Sequence, residues 1–104
     1  MKRIHLASLA VLAGVTLAAP AFADQALATS KNCMACHAVD KKVVGPAYKD
    51  VAKKYAGDAK AADMLAAKII KGGAGVWGPV PMPANAQVNE AEAKKLAAWV
   101  LSLK

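Results

Sequence analysis

The chain has 104 residues, 57% of them apolar, with 14 basic side chains against 7 acidic ones. This length supports one domain, and a basic excess of +7 without an arginine cluster argues against a nucleic-acid binder. Only one apolar run approaches membrane length, and it ends at Pro20, short of the twenty or so continuous residues that a span needs.

That run opens the chain. Lys2 and Arg3 are followed by a Leu-, Ala- and Val-rich stretch from Ile4 to Ala19, and Ala21-Phe22-Ala23 fits a small-residue cleavage rule. The segment 1–23 therefore reads as a secretory signal, cleaved to release residues 24–104 into a bacterial periplasm without stable membrane insertion. Removing 23 of 104 residues leaves 81, with 12 basic residues against 7 acidic, a formal charge of +5. A domain of this size is marginal without a staple, and its only large aromatics are Tyr48, Tyr55, Trp77 and Trp99.

Beyond the signal segment Ala and Lys dominate and favour helices. A first helix is predicted after Asp24, a suitable N-cap, running to about Lys31. Next comes Cys33-Met34-Ala35-Cys36-His37, which holds both cysteines. C-x-x-C-H is the attachment pattern of a c-type haem. In a helical turn its three reactive side chains share a face, so two thiols can meet the vinyl groups of one porphyrin while His37 meets the iron. Zinc would want about four ligands, and a redox dithiol is expected beside a βαβ pattern; neither accompaniment is visible.

Gly45-Pro46 signals a second helix with Pro46 in its first turn, carrying Tyr48, Val51, Ala52 and Tyr55 and stopped by Gly57. A third helix spans about Ala61 to Lys71, closed by Gly72 and Gly73. From Gly72 to Val88, glycines and prolines exclude regular structure. The last helix begins at Asn89, with Glu92 placed for a capping box, and Leu96, Ala97, Val100 and Leu101 form its apolar stripe.

With His37 on one side of an iron, the other axial position is open to few residues. His5 leaves with the signal. Met34 lies in the attachment loop, and Met64 sits on a helix where methionine usually packs. Met82 lies in Gly78-Pro79-Val80-Pro81-Met82-Pro83, where three prolines stiffen an extended wall. Met82 is the preferred ligand; Met64, a lysine or an open site remain alternatives. Methionine and histidine together raise a haem potential and leave the iron no position for substrate.

The segments CMACH, VGPAYKDVAKKYAG, GVWGPVPMPAN and AAWVLSLK span the chain beyond residue 23. In them it resembles the small bacterial class I cytochromes c, of the cytochrome c-551/c-552 type. The resemblance implies an all-α fold, with three to four helices wrapped around one covalent haem c with low-spin iron. It implies a monomeric periplasmic carrier, not an enzyme, moving electrons from membrane respiratory complexes to a terminal reductase, such as nitrite reductase, or an oxidase. It further implies that the Pro46 carbonyl receives the His37 ring N–H, that Asn85 donates towards the Met82 sulfur, and that Trp77 reaches a haem propionate. Some relatives have arginine near the propionates where this chain has Lys68. The basic excess suggests partners with acidic docking surfaces, met through Lys31, Lys41, Lys42, Lys68 and Lys71. A haem peroxidase would need an open iron position and a distal acid or base, and a sensor would need an output domain; the sequence displays neither.

Overall fold

The computed structural model describes residues 21–103; the signal-segment reading of residues 1–20 lies outside them. Four helices succeed one another: α1 (Ala21–Ser30), α2 (Tyr48–Lys54), α3 (Ala61–Lys71) and α4 (Glu90–Ser102), with a 3₁₀ turn at Cys33–Ala35 between the first two. Among the described residues there is no strand, only isolated bridges between His37 and Lys42 and between Gly73 and Met82.

The fourth helix organises the rest, packing against each of the other three. Ala93, Leu96, Ala97 and Val100 recur at three- and four-residue steps and are all buried, so they form one stripe. Ala28 and Ala66 join this core from α1 and α3, with Tyr48 and Val51 from α2. Small side chains at these crossings let helix axes approach closely. Tyr48 and Trp99 supply the bulk, meeting edge to face with ring centroids 5.3 Å apart, a favoured aromatic geometry.

Two predicted boundaries are confirmed in full, because each rests on local chemistry. α3 ends at Lys71, and Gly72 takes φ 72°, a left-handed value that a side chain resists. α4 starts after Asn89, whose side chain accepts from the Glu92 N–H at 2.8 Å while Glu92 accepts from the Asn89 N–H at 3.2 Å. The capping box is complete.

Two predicted starts are displaced. α1 begins at Ala21, so Asp24 sits in the first turn instead of capping it; nothing in Ala21-Phe22-Ala23 opposes a helix. α2 begins at Tyr48, with Ala47 as its extended N-cap (φ −59°, ψ 139°), so Pro46 stands outside the helix. Its carbonyl is engaged elsewhere, by the ring of His37. Tyr55, expected within α2, is its C-cap.

Candidate haem site

Asn32, the one described non-glycine residue with positive φ (64°), turns the chain out of α1. The attachment pentapeptide then closes on itself, its Cys36 and His37 N–H groups both donating to the Cys33 carbonyl at 3.2 and 3.1 Å. The turn is 3₁₀ over Cys33–Ala35, tighter than the helical turn expected. The Cys36 carbonyl receives the N–H groups of Val44 and Gly45 at 3.1 and 2.7 Å, folding residues 42–46 back over His37.

His37 is held on three sides. Its Nδ1 lies 2.8 Å from the Pro46 carbonyl oxygen and so donates to it. Tyr48 stacks on the ring, centroids 4.8 Å apart and planes 19° apart. Gly45 closes the third side: a Cβ there would lie 2.5 Å from His37 Cε1. With Nδ1 committed, Nε2 is the ring nitrogen left to bind a metal, and a hydrogen-bonded Nδ1–H holds the ring in the tautomer and orientation that this needs.

Cys33 and Cys36 are half-buried and not joined to each other. They share with His37 a large apolar cleft. Burial pushes the Cys33 thiol above its ordinary pKa, against the lowering effect of a hydrogen bond with Tyr48. The Tyr48 phenol is itself raised, first by burial and then by the neighbouring Cys33. Both groups therefore stay neutral near pH 7.

Residues 73–83 line the same cleft. Met82 belongs to this segment and is locked to Gly73 by a reciprocal backbone pair, Gly73 N–H to the Met82 carbonyl at 3.0 Å and Met82 N–H to the Gly73 carbonyl at 2.8 Å. Gly72 is required by this approach, since a Cβ on it would collide with the Met82 carbonyl oxygen. Met64 also borders the cleft, from α3, whereas Met34 packs against the helical core.

Trp77 lines the cleft and is 41% exposed. The Lys54 ammonium lies 5.6 Å from its ring centroid and 5.8 Å from that of Tyr55. Lys68 borders the cleft, with its ammonium against Gly73. Asn85 departs from its expected contact: its Nδ2 donates to the carbonyls of Ile69 at 2.8 Å and Pro83 at 3.4 Å, not to the Met82 sulfur. Tyr48 and Gly45 join the site without having been expected there. The single available signal for Gly45 is its place before a proline, which reads equally well as a helix start.

The donor set fits a c-type haem: two thiols, an oriented imidazole and a methionine border one apolar cleft. It does not fit zinc. Among the described residues no three His, Cys, Asp or Glu side chains converge on one point.

An all-helical domain with these features is a small cytochrome c. The family model for cytochrome c matches residues 23–104. The chain is 57% identical over its full length, and the relative's, to cytochrome c-552 of Hydrogenobacter thermophilus. It is 55% identical to cytochrome c-551 of Pseudomonas aeruginosa, again with both chains fully covered. The crystal structure of wild-type Nitrosomonas europaea cytochrome c552 superposes with a TM-score of 0.75 at 56% identity, covering 77% of this chain and 99% of that one. The chain belongs to the cytochrome c family. Its fold is class I, its cofactor is a covalent c-type haem, and its relatives are electron carriers, not enzymes.

Proposed function

We propose that the protein is a periplasmic one-electron carrier whose haem is attached through Cys33 and Cys36 and ligated by His37 and Met82. The observation that carries this reading is the His37 ring, pinned at 2.8 Å to the Pro46 carbonyl within a cleft that also takes in both thiols and Met82. When bound, the haem supplies a low-spin iron that cycles between Fe(II) and Fe(III). Pro46 orients the imidazole and strengthens it as a donor. Met82 would hold the iron as a weak sulfur donor, which would favour the reduced state and raise the potential. Trp77 stands at the cleft rim, where an indole N–H can meet a propionate. Asn85 acts on Met82 through the backbone that it anchors.

Export is supported by the signal pattern in residues 1–23. It is supported further by the family match, which starts at residue 23, and by the solved relative, which covers 77% of the chain. No helix among the described residues is long and apolar enough to cross a membrane. The carrier would act as a monomer between membrane respiratory complexes and a terminal reductase, such as nitrite reductase, or an oxidase.

Lys41, Lys42 and Lys71 are exposed and suit an acidic partner surface. Lys31 is less available, being paired to Glu92 at 3.2 Å. The intact mass of the exported protein tests the assignment: it should equal the chain from Asp24 plus one haem. The bare mass of that chain would contradict it.

A further inference from the structure

The segment that carries Met82 is tied down at its far end by side chains that the roles above leave unused. Lys31 and Gln87, 56 residues apart, hold each other reciprocally. The Lys31 ammonium donates to the Gln87 carbonyl at 3.0 Å, and Gln87 Nε2 donates to the Lys31 carbonyl at 3.1 Å. Gln87 Nε2 also donates to Asn85 Oδ1 at 3.0 Å. Glu92 steadies the Lys31 ammonium from the other side.

The contact with Asn85 decides an orientation. Because Oδ1 accepts from Gln87, the Nδ2 edge must face the Ile69 carbonyl, to which it donates at 2.8 Å. Turning the amide over would set two acceptors against each other at Ile69 and two donors against each other at Gln87. The Asn85 N–H meanwhile donates to the Ile70 carbonyl at 3.2 Å. Asn85 therefore fastens the chain, three residues past Met82, to the last turn of α3. Gly73 fastens it at Met82 itself.

We infer that Gln87 is a positioning residue for the sixth iron ligand: with Lys31 it forms a clasp that fixes the Asn85 amide and, through it, the strap bearing Met82. Lys31 lies two residues before Cys33, so the clasp joins the attachment segment to the strap. The inference rests on the assignment of Met82 as ligand.

Gln87→Leu in the holoprotein keeps most of the side-chain volume and removes both donors. Gln87→Glu keeps the length and also cannot donate. Each is tested by cyanide titration of the ferric protein, since cyanide binds only where the sixth ligand gives way. One net hydrogen bond is worth a factor of about 2 to 12 in an equilibrium constant. Because Gln87 is exposed, water competes for these bonds, and the expected gain in cyanide affinity is at the lower end, about threefold. A merely structural role would lower the melting temperature and leave cyanide affinity unchanged. That outcome in both variants overturns the inference.

Met82→Ala is run beside them. If it binds cyanide far more tightly and the Gln87 variants do not, only the clasp fails; if it binds no better than the parent, the ligand assignment itself fails. Should either Gln87 variant yield no holoprotein, NMR of the parent decides. The Gln87 side-chain amide should show close contacts to Asn85 and Lys31, and their absence overturns the clasp.

Discussion

Gly45→Ala is a small change whose sign depends on the packing around His37. Gly45 does not have a left-handed φ, so alanine carries no backbone strain there. On chain entropy alone the substitution should stabilise the protein by about 0.4–1 kcal/mol. The structure predicts the opposite. The new Cβ would stand 2.5 Å from His37 Cε1, 2.9 Å from Nδ1 and 3.0 Å from Nε2, about 1 Å inside the usual carbon contact distance of roughly 3.5–4.0 Å.

The ring has nowhere to retreat, with Tyr48 stacked on it and Nδ1 tied to Pro46. Overpacking of this kind costs roughly 1–3 kcal/mol, which leaves a net loss of up to about 2.6 kcal/mol after the entropic gain. Each kcal/mol shifts Tm by about 4–8 °C in a domain of this size. Thermal unfolding of the holoprotein, monitored by circular dichroism under one set of conditions, should show a drop of several degrees. The reduction potential should move with it, because the new methyl presses on the ring proposed to bind the iron. A Tm above that of the parent would refute the three-sided clamp on His37.

The α4 capping box and the surface lysines give further tests. Asn89→Ala removes the cap and should cost about 1 kcal/mol, measured by denaturant unfolding. The Glu92 carboxyl is held below its ordinary range, first by its bond from the Asn89 N–H and then by Lys31. A lowered folded pKa means that the carboxylate contributes stability above its unfolded pKa and loses it as pH falls through the folded one. The stability gap between parent and Glu92→Gln should therefore close on acidification below the ordinary carboxylate range. A gap constant with pH would place the effect elsewhere. Electron-transfer rates with an acidic redox partner should fall as salt rises, since the screening length shrinks from about 10 Å at 0.1 M to about 3 Å at 1 M; salt-independent rates would favour apolar docking around Val43, Val44 and Val80.

The features of this protein that can be read from its sequence are those that neighbours in the chain decide. The end of α3 is legible because Gly72 and Gly73 come directly after it. The start of α4 is legible because Asn89 and Glu92 answer each other across one turn. The start of α2 is not, because Pro46 obeys a helix-start rule locally while its carbonyl serves a ring nine residues away. The C-x-x-C-H motif is readable for the same reason of locality. The stack of Tyr48 on His37 is not: helical spacing marks Tyr48 as core, and it is both core and site. Trp77, placed beside the haem only through the resemblance, does line the cleft. The Asn85 amide could not be aimed from sequence, because its orientation depends on Gln87 and on carbonyls of α3.

Carrier function turns on Met82 supplying the sulfur ligand. Met64 borders the same cleft, so the two must be separated by experiment. The ferric holoprotein should show the weak far-red iron–sulfur charge-transfer band. Met82→Ala should abolish it, open the iron to exogenous ligands and lower the potential, while Met64→Ala should leave the band intact. Loss of the band in Met64→Ala, with its survival in Met82→Ala, would contradict the assignment of Met82.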